Sequence, residues 1–229
     1  MASILKLDGI AKTYVKGQNQ VRALAGIDLD IEAGEFLAVV DPSGSGKTTL
    51  LNIVGCLDSP SAGVVLYNGT PLGSMKEDQL SEYRKKHISF IFQSYNLIPV
   101  LTVRENVELP LVIERRMNKN EIRAKADELL KAVGLEGLGD RYPRELSGGQ
   151  EQRVAIARAL VKEPYIVLAD EPTANLDSHT AEEIVDIMRD INKSKGATFI
   201  FSTHDALVQK HARRVVTIRD GLVHSDERK

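Results

Sequence analysis

FLAVVDPSGSGKTTLLNIVGCL, residues 36–57, carries an unbroken apolar run into a Gly/Ser-rich turn and then into apolar residues at helical spacing: Leu50, Ile53, Val54 and Leu57. That order reads as buried strand, loop, helix. The turn differs from the phosphate-loop pattern G-x-x-x-x-G-K-S/T in one letter, its first, which is Asp41. In such a loop consecutive backbone N–H groups converge on phosphate oxygens at a helix N-terminus. Ser43, Gly44, Ser45, Gly46, Lys47, Thr48 and Thr49 are therefore the expected nucleotide cradle. Gly44 and Gly46 admit close backbone approach, Lys47 reaches the β- and γ-phosphates, and the Thr48 hydroxyl is a Mg²⁺ ligand. Taken alone, the same letters also fit an ordinary turn.

Upstream, LAGIDLDIEAGEFLAVV (24–40) alternates at Ile27, Leu29 and Ile31 before becoming continuously apolar, an antiparallel strand followed by a buried one. Downstream, YIVLAD (165–170) and ATFIFST (197–203) are two more buried strands, and between them Ile184, Ile187, Met188 and Ile191 form one helix face. Thr180 with Glu183 reads as a capping box at the start of that helix. RVVTIRDGLVHS (214–225) reads as a hairpin turning at Asp220-Gly221. Strands alternating with helices predict an α/β fold with a parallel sheet flanked by helices and an antiparallel β part; together with the phosphate-loop letters this resembles a P-loop NTPase (RecA-like) core. Roughly 95–160 shows no strand. There NKNEIRAKADELLKAVG (118–134) has an Asn118/Glu121 capping box, an apolar face at Ile122, Ala126, Leu129, Leu130 and Val133, and Gly134 as a stop. The expected organisation is one domain over 1–229, with approximately 1–94 and 161–229 as core and approximately 95–160 as an inserted helical lobe.

A second element completes the nucleotide chemistry. IVLADEP (166–172) ends an apolar strand in two acids, where Asp170 can hold Mg²⁺ and Glu171 can polarise an attacking water. The plainer role for two acids at a strand end is to cap the next helix. Composition bounds the rest: 229 residues, 42% hydrophobic, with 30 Lys plus Arg against 32 Asp plus Glu, give a globular chain without an electrostatic reason to bind nucleic acid. Cys56, the lone cysteine, excludes an internal disulfide framework and suits the cytosol. Lys6 and Asp8 interrupt any signal-peptide core, and no apolar run approaches the ~20 residues that cross a bilayer, so a membrane role is expected only through a partner.

LSGGQEQRVAIARAL (146–160) resembles the signature of the ATP-binding-cassette ATPases, and the likeness extends over nearly the whole chain. The resemblance implies a head-to-tail dimer sandwiching two ATP molecules, with Ser147, Gly148, Gly149 and Gln150 facing the other copy's phosphate loop. Tyr14 in AKTY matches the aromatic that stacks on adenine, and Gln93 in FIFQ the glutamine at Mg²⁺ and the attacking water. Asp177 in ANLD matches the loop crossing the dimer interface, and His204 in FSTHD the switch histidine at the γ-phosphate. On this basis Glu171, His204, Gln93 and Lys47 are the candidate catalytic residues, and Thr48, Gln93 and Asp170 the metal set. NIVGCLDSPSAG (52–63) and FIFQSYNLIPVLTVRENVELPL (90–111) look most like the lipoprotein-release and macrolide-exporter branch (LolD and MacB type). That implies an ATPase subunit peripheral on the inner face of the cell membrane, docking a permease near Gln93 to Leu109. Leu97, Ile98 and Leu101 are the apolar residues that suit such a dock or, equally, the lobe core.

Asp41 departs from the family pattern, which expects Gly. At ~7 Å from a phosphate charge, a carboxylate would oppose binding by about 2 kcal/mol per charge pair at an effective dielectric of ~20. A competent but weakened ATPase is the expectation; the alternative is a nucleotide-binding regulatory switch with impaired hydrolysis. Chromosome or DNA-repair ATPases place a long coiled coil between phosphate loop and signature, and none is present. Translation ATPases carry two cassettes per chain, against one here.

Overall fold

The computed structural model describes residues 3–17, 19–41 and 46–229. Ser3–Lys16 (β1) pairs antiparallel with Asn19–Glu32 (β2), after which the chain enters Phe36–Val40 (β3) and the helix Lys47–Val54 (α1). It returns to the first sheet as Ala62–Tyr67 (β4) and Thr70–Pro71 (β5), giving the order β2-β1-β4-β5. Glu77–His87 (α2) leads to Ile88–Ile91 (β6), and then three helices follow without a strand: Val103–Glu114 (α3), Lys119–Ala132 (α4) and Gly148–Leu160 (α5). The rest alternates: Ile166–Asp170 (β7), Ser178–Lys195 (α6), Thr198–Ser202 (β8), Ala206–His211 (α7), then the hairpin Arg214–Arg219 (β9) and Leu222–Arg228 (β10). The second sheet has the order β10-β9-β3-β8-β7-β6 and is parallel except for β10.

Period-two alternation splits the interior in two. Leu37, Val39, Ile166, Leu168 and Ile200 pack with α1 and the antiparallel sheet. Their neighbours Phe36, Ala38, Val167, Ala169, Phe199 and Phe201 face α5, α6 and the lobe. Both faces of the sheet are thus covered, which is why its central strands read as solid apolar runs rather than alternating ones. The predicted α4 face, Ile122 through Val133, is buried in the same cluster as Val107 of α3 and Val154 of α5. Asn118 caps α4, its Oδ1 accepting from the N–H groups of Asn120 and Glu121 at 3.0 and 3.1 Å.

One expectation needs correction, and one reading left open is narrowed. The cap of α6 is Asp177, whose Oδ1 accepts from the His179 and Thr180 N–H groups at 3.1 and 3.0 Å, rather than Thr180. A carboxylate three residues earlier takes both free donors, and the Thr180 hydroxyl then donates to Asp177 Oδ2. In the loop before α3, Leu97, Ile98 and Leu101 are half-buried, and Val100 is the exposed apolar residue. The cause is Asn106, fully buried in α3: its Nδ2 donates to the carbonyls of Ile98, Leu101 and Thr102, and its Oδ1 accepts from the Ile98 N–H.

Arg214 pins β9 and β10 to the β2–β3 turn. Its side chain, 7% exposed, pairs with Glu35 at 2.9 Å and Asp226 at 2.7 Å and donates to the Asp30 carbonyl. Arg214→Met leaves Asp226 without its partner and Glu35 with Arg228 alone, and should cost about 3 kcal/mol, the low end for one-sided loss of a buried pair because Asp226 keeps some solvent. Urea denaturation measures this. The Arg214 guanidinium also holds the Asp226 carboxyl below its usual range. That contribution is present above the unfolded carboxylate pKa and lost as pH falls through the lower folded value, so acid should erode wild-type stability more steeply than that of the variant.

Candidate active site

Strands β3, β7 and β8 end side by side, and the residues that follow them converge, as expected at the carboxyl edge of a parallel sheet. Asp41 leaves β3 only 6% exposed. Ser43, Gly44 and Ser45 of the expected cradle lie outside the described residues. Gly46 starts α1 with φ +100, and a Cβ there would stand 2.4 Å from the Ala23 carbonyl oxygen. Only glycine satisfies both the left-handed backbone and the contact with β2. Lys47 Nζ donates to the Asp41 carbonyl at 3.3 Å. Gly46, Lys47, Thr48 and Thr49 line a groove of about 650 Å³ that also receives Ala23 and the Tyr14 ring. The Tyr14 hydroxyl donates to Asp58 Oδ2 at 2.8 Å, and Lys12 Nζ lies 5.0 Å from the ring centroid, so the ring is held from its rim and one face.

Asp170 ends β7 half-buried. Burial pushes its carboxyl above the usual range, the Glu171 charge adds to the rise, and Lys47 and Thr48 oppose it. The Ser202 hydroxyl on β8 also eases the Asp170 charge but lacks the geometry of a hydrogen bond, and its Oγ is buried without a partner among the described residues. Glu171 follows in the left-handed region, φ 45, an uncommon backbone for a non-glycine residue that the surroundings must hold. Its N–H donates to the Ser202 carbonyl at 2.9 Å. Glu171 Oε1 lies 2.7 Å from His204 Nδ1, and Oε2 accepts from the Thr203 hydroxyl at 3.1 Å. A carboxylate can only accept, so Nδ1 faces it with its hydrogen, and Nε2 of the exposed imidazole points elsewhere.

Gln93, just past β6, is exposed and meets the loop after Glu171: its carbonyl accepts from Asn175 Nδ2 at 2.9 Å and its Nε2 donates to Asn175 Oδ1 at 3.4 Å. Ser147 caps α5 at the surface, exchanging hydrogen bonds with Gln150 in a capping box. Gly148 and Gly149 open that helix, and a Cβ on Gly149 would lie 2.4 Å from Thr180 Cγ2, so α5 crosses α6 at glycine distance. The structure thus gathers Lys47, Thr48, Asp170, Glu171 and His204, with Gln93 linked to them through the 171–177 loop. Ser147 is set apart at its own helix end, and Asp177 serves as the α6 cap. Sequence reasoning missed Gln152, whose fully buried Nε2 donates to the Pro172 carbonyl at 2.6 Å, and also Thr173, Asn175 and Asp205. Gln152, Asn175 and Asp205 lie inside quoted motifs and Thr173 between two of them, but only the fold shows that these motifs touch.

Comparison with known proteins identifies the family. The ABC transporter family profile matches residues 24–174. The chain is 44% identical over 228 residues to the ABC transporter ATP-binding protein MJ0796 of Methanocaldococcus jannaschii, covering 98% of this chain and 97% of that one. It is 45% identical to the lipoprotein-releasing system ATP-binding protein LolD 1 of Rhodopseudomonas palustris, covering 97% and 99% of the two chains. It is 46% identical to the macrolide export ATP-binding/permease protein MacB of Escherichia coli K12, covering 97% of this chain but 34% of that longer protein. A dimeric structure of MJ0796 in a post-hydrolysis state with ADP and Pi superposes with a TM-score of 0.89 over 98% of each chain. The chain therefore belongs to the ABC transporter family, as an ATP-binding cassette.

Proposed function

We propose that this cassette hydrolyses ATP at the junction of β3, β7 and β8, and that its ATP-driven pairing with a second copy drives a permease of the lipoprotein-release or macrolide-export kind. The observation that carries this is the Glu171–His204 contact beside the Lys47 and Thr48 groove. Glu171 takes the proton of a water that adds to the γ-phosphorus as the bond to the β–γ bridging oxygen breaks, releasing ADP and phosphate. Lys47 and the His204 imidazole face the charge on the transferring phosphoryl group. Tyr14 offers its free face to the adenine ring.

A Mg²⁺ ion fits the oxygen donors at this point, the Thr48 hydroxyl, the half-buried Asp170 carboxylate and the Ser202 hydroxyl; Gln93, held by Asn175, would complete the set. Bound there, it would neutralise phosphate charge, taking its remaining ligands from phosphate and water. Ser147 with Gly148, Gly149 and Gln150 presents a helix N-terminus to the γ-phosphate held by the other copy. Asp177 lies close to that face. No described helix is long and apolar enough to cross a membrane. The permease docks along Gln93 to Leu109.

Replacing Glu171 by Gln keeps shape and hydrogen-bonding capacity while removing the base. Turnover should fall on the order of 10²–10⁴-fold while ATP binding persists, and an ATP-bound dimer should accumulate in gel filtration. Undiminished phosphate release would exclude Glu171 as the base.

A second reading, a switch that binds ATP and scarcely hydrolyses it, rests on Asp41, which stands in the loop's first position and is buried. Asp41→Gly should tighten ATP binding by about tenfold or more if the carboxylate opposes phosphate. Unchanged affinity and turnover, by calorimetry and phosphate release, would show the charge to be neutral in effect.

A further inference from the structure

Glu171 and His204 are joined a second time, two residues along one strand end and one along the other. The Thr173 hydroxyl donates to Asp205 Oδ2 at 2.6 Å. The Asp205 N–H donates to Thr203 Oγ1 at 3.0 Å, and the Thr203 hydroxyl donates in turn to Glu171 Oε2 at 3.1 Å. Through Pro172 the chain closes this path into a ring: Glu171, Thr173, Asp205, Thr203 and back to Glu171. Thr173 and Thr203 are 3% and 0% exposed, so water does not compete for their hydroxyls.

Proton directions in the ring are fixed. A carboxylate accepts only, so the Thr173 hydrogen must point to Asp205; Thr203 accepts from a backbone N–H and so has its one hydrogen free for Glu171. Asp205 Oδ1 meanwhile accepts from the Leu207 N–H at 2.8 Å and starts α7, which keeps the aspartate in place. Glu171 Oε2 accepts from the Thr203 hydroxyl and, at 3.4 Å, from the His204 N–H, while Oε1 faces the His204 ring. The left-handed backbone at Glu171 is a conformation that neighbouring contacts must sustain, and the ring supplies them.

We infer that the Thr173–Asp205 hydrogen bond is a positioning device for hydrolysis: it locks the loop after β7 to the loop after β8 and so sets the orientation of Glu171 against His204. Neither residue lines the Lys47 and Thr48 groove. The inference deepens the assignment of Glu171 as base and rests on it.

The test uses two variants of the whole chain. Thr173→Val keeps shape but removes the donor, leaving Asp205 Oδ2 short of a hydrogen bond; Thr173→Ser keeps the hydroxyl. The valine variant should lose about tenfold or more in kcat, because a misaimed base is sensitive to small displacements, while its KM for ATP stays within about twofold. The serine variant should recover most of that loss. Both should keep the wild-type ability to form a dimer with ATP when combined with Glu171→Gln. A valine variant with wild-type kcat, a loss of kcat that serine does not restore, or parallel loss of kcat and ATP binding with lowered thermal stability would each overturn the positioning role while leaving Glu171 as base. Full turnover in Glu171→Gln alone would overturn the base assignment and the ring's purpose with it.

Discussion

Parallel pairing of β7 with β8 places Asp170 opposite Ser202, and the reactive arrangement descends from that register. A slip of one residue would turn Asp170 toward the other face of the sheet and carry Glu171 away from His204. Register is held because both faces of these strands are buried: Leu168 and Ile200 go to one apolar cluster, Ala169 and Phe201 to the other. The polar chemistry therefore rests on an apolar constraint. Once the strands end, four side chains and one strained backbone position finish the work of bringing a carboxylate to an imidazole.

The same short loop ties that site to the rest of the molecule. Gln152 of α5 reaches Pro172, Asn175 reaches Gln93, and Thr173 reaches Asp205, so residues 171–177 touch the signature helix, the lobe entry and the histidine loop in turn. Helix α5 also packs in one cluster with α3, α4 and α6. Displacement of the lobe would thus be felt at the residue next to Glu171. In a machine that exchanges nucleotide for movement, a stiff loop with contacts on all sides is a suitable transmission, because packed interfaces shift between discrete arrangements rather than bending smoothly.

Much of this was legible in the residues. Solid apolar runs marked the buried strands, the Asn118/Glu121 cap marked α4, and the lysine-threonine and double-acid motifs fall together at the carboxyl edge of the sheet. What failed was local where two signals competed. Thr180 with Glu183 has the letters of a helix start, but Asp177 stands three residues earlier and its carboxylate is the stronger acceptor for free N–H groups. For Leu97, Ile98 and Leu101 the residues left a dock and the lobe core equally open, and Asn106 draws their loop onto α3 through four hydrogen bonds that no spacing rule announces. Long-range polar contacts were beyond reach for the same reason. Thr173 and Asp205 are 32 residues apart, and nothing local to either indicates the other.

A crystal structure of the Glu171→Gln chain with Mg²⁺ and ATP bears most directly on the central claim, that the triphosphate is clasped between the sheet edge of one copy and the signature helix of another. The arrangement described here predicts a head-to-tail dimer in which the γ-phosphate lies within hydrogen-bond reach of His204 Nε2 and of Ser147 of the partner subunit. Nucleotide bound by one copy alone, with the imidazole turned from the γ-phosphate, would contradict it.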